Sequence, residues 1–312
     1  MELIRYLHNV RPHHRGCVLT IGNFDGVHLG HQAVIGQLAE KAAELHLPSV
    51  LMTFEPYPQE FFNPAAAQPR LTRFREKMLS LRRYAVDRVF CLRFDERLAE
   101  MSARDFIRDV LVERLGVCYL VVGDDFRFGW RREGDFELLR EAGAEQGFQV
   151  AKMHTVELAG ERISSTRIRA ALGRGEMALA EQMLGRPYRM CGRVVHGDKR
   201  GRDLGFPTAN IDLHRMVSPV TGVFAVELFG VTGEPVPGVA NVGIRPTVSG
   251  TRARLEVHLL DFSREIYGAH VHVDFLRKIR EERRFDSLQE LVKQIELDIE
   301  DARAFFAGIR NP

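Results

Sequence analysis

Three constellations in the chain have residue types and spacings that could do chemistry. The first is Gly22-Asn23-Phe24-Asp25-Gly26-Val27-His28-Leu29-Gly30-His31, with glycine at every fourth position and two imidazoles three apart. Glycines bring backbone close to a ligand without a Cβ in the way. Histidines at this spacing share one face of a helical turn. Such imidazoles could hydrogen-bond phosphate oxygens and stabilise charge as a pyrophosphate departs. The same pair, taken alone, also fits a surface accident or half of a metal site with no cysteine or carboxylate partner nearby. The second constellation is the loop from Gly197 to Asn210, where Gly197, Gly201 and Gly205 interleave with Lys199, Arg200 and Arg202. Glycines and cations together suit a polyphosphate, although the Gly-Lys-Ser/Thr ending of a Walker loop is absent. Without further support this is a charged hairpin. The third is Glu256, where Leu255, Val257 and Leu259 alternate to one side and leave Glu256 and His258 on the other. A solvated strand face is the plainer reading of that alternation.

The elements around these residues set their positions. Cys17–Ile21 is a short apolar run, and Val34, Ile35, Leu38, Ala42 and Leu45 follow at helical spacing. The first glycine string therefore fills a strand-to-helix turn, and a helix start favours a phosphate. Ser49–Phe54 is a second buried strand, closed by the stiff Glu55-Pro56-Tyr57-Pro58 loop. Phe54 and Tyr57 are either ordinary aromatics of core and surface or walls of a flat ring pocket. Helices are expected over Leu71–Tyr84, Ser102–Leu115 and Phe136–Glu145, and strands over Val86–Phe94, Val117–Val122 and Phe148–Met153. This alternation implies a parallel sheet covered on both faces. Gly123-Asp124-Asp125-Phe126-Arg127-Phe128-Gly129 leaves the carboxyl end of its strand, where open α/β sheets bind ligands. One of its phenylalanines is expected to face core and the other a ligand. In Ile163-Ser164-Ser165-Thr166-Arg167-Ile168-Arg169, Ser164 or Ser165 caps a helix with Arg169 one turn in. Met1–Arg15 reads as irregular, with His13 and His14 solvated.

Gly185-Arg186-Pro187 breaks a helix, and the pattern then changes. Alternating segments over Arg189–His196, Gly222–Val231, Arg254–Leu260 and His270–Leu276, with turn signals between, predict a small antiparallel barrel. Asp286-Ser287 opens a long terminal helix with a Ser287/Glu290 capping box. Its apolar face, from Leu288 through Ile295 and Ile299 to Phe306, should dock on the barrel.

Bulk properties narrow the function. The 312 residues allow two domains. A net charge of +2 argues against bulk nucleic-acid or membrane binding. Cys17, Cys91, Cys118 and Cys191 form no Cys-x-x-Cys pair, so structural zinc is not expected, and three of them lie in apolar runs that suggest buried thiols. Neither a signal-peptide core nor a membrane-length apolar run is visible. The default is a cytoplasmic protein, and a homo-oligomer is compatible with the sequence.

The strings together resemble one family. His28-Leu29-Gly30-His31 and Ile163–Arg169 are similar to the two signatures of the nucleotidyltransferase superfamily. The longer string Gly22–His31 looks like the adenylyltransferase half of bacterial bifunctional riboflavin kinase/FAD synthetases. Gly201–Asn210 resembles the riboflavin kinase signature ending Gly-Phe-Pro-Thr-Ala-Asn, Gly238–Thr247 matches a further family string, and Glu256 lies in the family's Glu-x-His-Leu-Leu-Asp context. The resemblance implies an α/β plus β chain: a Rossmann-like adenylyltransferase domain over 1–185 and a kinase barrel with a terminal helix over 186–312. It implies phosphorylation of riboflavin by ATP to FMN and ADP, then adenylylation of FMN to FAD with release of pyrophosphate.

By the same resemblance, His28 and His31 act in adenylyl transfer. Gly22, Phe24, Asp25, Gly26, Gly30, Asp125, Ser164, Ser165 and Arg169 hold nucleotide there. Gly197, Lys199, Gly201 and Gly205 hold it in the kinase half. Phe54, Phe126, Phe128 and Phe206 contact flavin, Thr208 and Asn210 bind Mg2+ that accompanies ATP, and Glu256 accepts the proton of the attacking alcohol. Many relatives carry Asn at position 125; an ionised Asp can accept but cannot donate. The rivals are a cytidylyl- or pantetheine-type transferase with a regulatory barrel, which has no reason to carry Gly-Phe-Pro-Thr-Ala-Asn, and a flavin-storage protein, which has no need of intact glycine loops and a base.

Overall fold

The computed structural model describes residues 1–153, 155–197, 201, 204–247 and 250–310. Contacts divide the chain into two units, one of Met1–Gln68 with Arg73–Ser164, the other of Pro69–Thr72 with the chain from Ser165 onward.

The first unit is built on six parallel strands: β1 Glu2–Arg5, β2 Cys17–Ile21, β3 Ser49–Glu55, β4 Arg88–Arg93, β5 Val117–Gly123 and β6 Gln149–Met153, in the order β1-β4-β3-β2-β5-β6. Every residue of β2 is buried, which is why its sequence is continuously apolar rather than alternating. Helices α1 Leu29–Leu45, α2 Phe74–Leu81 and α3 Phe136–Gln146 follow β2, β3 and β5. Leu19, Met52, Phe90 and Leu120 form the centre of one core. From β2 the chain adds β3 and β4 on one side, then returns to place β5 on the other. The crevice beyond the carboxyl ends of β2 and β5 is therefore a topological switch point. Both Gly22–His28 and Asp124–Phe128 emerge there.

Four expectations need correction in this unit. Residues 1–15 are not simply irregular, because β1 adds to the sheet edge against β4. His14 is buried: its Nδ1 accepts from the Arg11 N–H at 2.9 Å and its Nε2 meets Glu2 Oε1 at 3.1 Å, which satisfies an otherwise hydrophilic ring. Ser102 caps the expected helix, which widens after one α turn into a π-helix over Phe106–Arg114. Cys118 is exposed while Cys17 and Cys91 are buried; it is the extra residue where β5 shifts register against β2, between Val117 and Tyr119.

The second unit contains helices α4 Ser165–Arg174 and α5 Met177–Leu184 and a closed antiparallel barrel. Its strands are β9 Tyr188–Val195, β10 Thr208–Asp212, β11 Gly222–Phe229, β12 Val236–Thr247, β13 Gly250–Leu259 and β14 His270–Arg280, ordered β10-β13-β12-β11-β14-β9. The short pair β7 Glu157–Leu158 and β8 Glu161–Arg162 belongs to the first unit. Met190, Phe224, Leu255, Val257 and Phe275 fill the barrel. Gly185 ends α5 in the left-handed conformation, as the Gly-Arg-Pro break predicts. Even so, α5 packs on β9 and β14, so the helices before the break share contacts with the barrel. The terminal helix α6, Leu288–Arg310, buries Ala302 and Phe306 against Val223 and Val239. Leu288 at its first position is 68% exposed, ahead of the turns that reach the barrel. Ser287 Oγ accepts from Glu290 N–H at 3.2 Å, but the Glu290 carboxylate turns back to Asp286 N–H rather than to Ser287.

Candidate active sites

In the first unit, the turn after β2 is held in an unusual backbone. Phe24 and Val27 take positive φ, as does Gly26. His28 is the N-cap of α1, with Nδ1 accepting from the His31 N–H at 3.3 Å. That bond leaves the His28 proton on Nε2. The two imidazoles stack 3.7 Å apart with 20° between planes, and Phe24 closes on His31 at 5.0 Å. A Cβ on Gly30 would fall 3.2 Å from the His28 ring, so this glycine makes room for it. Burial first, then His28, Lys77 and Arg162, lower the His31 pKa well below its ordinary 6.5. His31 is therefore a neutral imidazole near pH 7. Its buried Nδ1 has no hydrogen-bond partner among the described residues, an atom prepared for a ligand.

The surroundings add residues that sequence reading passed over. Lys77 is wholly buried, and its ammonium donates to Asn23 O at 2.7 Å and Thr53 Oγ1 at 3.0 Å, 4.6 Å from the Tyr57 ring centre. Its signal was its place between Phe74 and Leu81 on the apolar face of α2. Tyr57 OH donates to buried Asp25 at 3.5 Å. Arg162 pairs with Asp125 at 2.9 Å and Asp124 at 3.5 Å. Thr155 donates to Asp124 at 2.7 Å, which with Arg162 holds that carboxyl below its usual range. Phe126 and Phe128, at i and i+2, lie on one side of the loop with their rings stacked at 5.5 Å. Phe128 is buried against Phe106, leaving Phe126 the more accessible. Phe54 is partly buried beside Phe94. Ser164 closes the first unit, while Ser165 opens α4 in the second, and Arg169 Nε donates to Pro69 O at 2.8 Å.

The second unit has its own cavity, of about 480 Å³. Thr208, Asn210, Arg254, Glu256 and His258 line one wall, and Phe206 and residues of α6 line others. Strand pairing explains the grouping. Asn210 and Asn241 flank Glu256 from β10 and β12, and Thr208 lies opposite His258. Leu255 and Val257 point into the barrel, so the alternation predicted for Glu256 holds. His258 Nδ1 donates to Pro207 O at 2.9 Å. The loop glycines have separate reasons. A Cβ on Gly197 would fall 2.2 Å from Asn210 Nδ2, and one on Gly201 would fall 2.5 Å from Phe206 O. Gly205 has φ +89°. Lys199 lies outside the described residues. Asp298, on the apolar stripe of α6, is buried and accepts from Arg280 at 2.8 and 2.7 Å.

Hydroxyl, amide and carboxylate oxygens on one wall are hard donors that suit a divalent cation. Arg254 tests that fit. Its guanidinium donates twice to Asn210 Oδ1, from Nε at 3.1 Å and from Nη2, and its Nε lies 2.7 Å from Glu256 Oε1. These oxygens already face a positive charge.

Comparison with known proteins follows this division. The FAD synthetase family matches residues 10–167 and the riboflavin kinase family residues 184–306. The chain is 53% identical, over all of both chains, to the bifunctional riboflavin kinase/FMN adenylyltransferase of Escherichia coli K12. It is 52% identical to that of Pseudomonas fluorescens over 98% of each chain. The chain belongs to this family. It is an enzyme with two transferase activities: the C-terminal half phosphorylates riboflavin, the N-terminal half adenylylates FMN, and both use ATP. Riboflavin, FMN and ATP are its substrates, and FAD and ADP are among its products. A solved structure described as a macrolide-efflux protein from Streptococcus pneumoniae matches with TM-score 0.82 and 32% identity, covering 97% of this chain and 99% of that one. Among the described residues, no helix is long and apolar enough to cross a membrane.

Proposed function

We propose that adenylyl transfer runs at the switch-point crevice and phosphoryl transfer at the barrel cavity, with function divided between residues 1–185 and 186–312. In the first, an FMN phosphate oxygen attacks the α-phosphorus of ATP, and the bond to pyrophosphate breaks. The His28 Nε2 proton and the neutral His31 ring donate to phosphate oxygens as charge builds on the leaving group. Gly22, Gly26 and Gly30 keep the backbone near the phosphates, with Phe24 and Asp25 fixing the turn. Asp125 is an acceptor for nucleotide, and Phe54 and Phe126 are the flavin contacts. The observation that carries this reading is the unpartnered, buried His31 Nδ1 in a site that also keeps the ring neutral.

In the barrel cavity, Glu256 accepts the proton of the ribityl alcohol as its oxygen bonds to the γ-phosphorus and ADP leaves. Phe206 contacts the flavin, and the Gly197–Gly205 loop covers the polyphosphate. Thr208 and Asn210 would hold Mg2+, which would offset phosphate charge when bound. The enzyme works in the cytoplasm as a soluble catalyst without nucleic-acid or membrane partners. Chromatographic product analysis with riboflavin, ATP and Mg2+ tests the assignment residue by residue: variants of the first site should accumulate FMN, and variants of the second should make FAD only from supplied FMN. An Asn210 or Glu256 variant blocked equally in both steps would overturn it.

A further inference from the structure

We propose that Arg254 is a built-in counter-cation, holding Asn210 and Glu256 in the substrate-free enzyme and yielding its place to the metal–nucleotide complex. It would thereby set the metal dependence of riboflavin phosphorylation. The proposal rests on reading Thr208 and Asn210 as metal ligands.

Arg254 and Glu256 are two apart on β13 and share a face, and Asn210 is the cross-strand partner of Glu256. One guanidinium therefore reaches both side chains. Its two N–H groups take Asn210 Oδ1, and its Nε lies 2.7 Å from the carboxylate of Glu256. An amide oxygen has two lone pairs. With both engaged, Asn210 cannot bind a metal until Arg254 withdraws. A dication and a guanidinium at the same oxygens also repel each other, so occupancy is exclusive. Withdrawal is feasible: the Arg254 side chain is 28% exposed and borders a cavity of about 480 Å³. Arg280, on the same cavity, is held by buried Asp298 and does not compete for Asn210. Arg254 thus keeps two functional oxygens correctly aimed, while lowering the fraction of enzyme ready to take metal.

The test uses the full chain, with Mn2+ as a spectroscopic substitute read by electron paramagnetic resonance in the presence of ADP. Arg254→Gln should bind Mn2+–ADP about tenfold more tightly, as expected when a competing state holding roughly nine-tenths of the enzyme is removed. Arg254→Lys, charged but unable to bridge twice, should fall between. In the wild type, the Nε–Hε NMR resonance of Arg254 should move when Mg2+–ADP is added. Equal or weaker Mn2+–ADP binding by a Gln variant with a wild-type melting profile would overturn the proposal, as would an unmoved resonance at saturating Mg2+–ADP. Asn210→Ala separates the two readings. If it leaves Mn2+ binding unchanged, the ligand assignment fails and the proposal with it; if it weakens binding while Arg254→Gln does nothing, only the proposal fails.

Discussion

At the scale of single residues, the two halves should fail independently. His31→Ala should lower FAD formation by roughly 2.7–4 kcal/mol of barrier, about 10²–10³-fold, by analogy with loss of one oxyanion donor. Riboflavin phosphorylation should persist. Separate initial rates for FMN and FAD check this, and parallel loss of both activities would assign His31 a structural role. Glu256→Gln keeps size and hydrogen bonding but removes the base. Kinase turnover should drop by about 10²–10⁴-fold, while adenylylation of supplied FMN is kept. Near-normal turnover would leave Glu256 a bystander on its strand. The types and spacing of His28, His31 and Glu256 were legible in the sequence. Lys77, Arg162 and Arg254 were not, because their roles come from partners far along the chain: Asn23 and Thr53, Asp125, and Asn210.

At the scale of elements, glycines fix how closely segments approach. Gly197 lies against the Asn210 amide, with no room for a methyl group. Gly197→Ala should push the loop off β10 and depress FMN formation, with a cost of about 1–3 kcal/mol if the strand shifts. Thermal melting and kinase assays on the same sample would check this, and unchanged values in both would mean the loop relaxes freely. Most helices and the barrel strands were readable from period, since burial on one face imposes 3.6 and on alternate residues 2, and the buried Cys17–Ile21 strand from its continuous apolar run. The π-helical turn over Phe106–Arg114 was not readable, because its residues keep an ordinary amphipathic pattern. The stacking of Phe126 on Phe128 against Phe106 likewise comes from how the Gly123–Gly129 loop lies on that helix; a Cβ on Gly129 would fall 2.6 Å from Ala103 N.

At the scale of the whole molecule, a fragment from Arg186 should fold and make FMN but no FAD. A fragment from Ser165 should melt at higher temperature, because it keeps α5 against β9 and β14. Equal melting temperatures would make those helices dispensable to the barrel. A second expectation concerns pH. The folded His31 titrates well below the 6.5 of the unfolded chain, so below about pH 6.5 the unfolded state binds a proton that the folded state does not. That stability is present above pH 6.5 and is lost as pH falls towards the folded pKa. The first unit should melt earlier at pH 5.5 than at pH 7.5, and His31→Gln should flatten the difference. A wild-type transition indifferent to pH over this range would count against a buried neutral ring.

The sequence by itself determined the two-part architecture, most of the strands and helices in their order, and both glycine loops with their candidate catalytic residues. These are local properties, written in apolar period, turn chemistry and short motifs. Tertiary structure alone decided which distant groups stand beside those residues. The barrel's register sets Asn210 against Glu256 within reach of Arg254. The sheet's crossover brings the loops after β2 and β5 to one edge. Burial then settles the neutral state of His31. Register, crossover and burial depend on contacts between residues tens of positions apart, and no local pattern encodes such a distance.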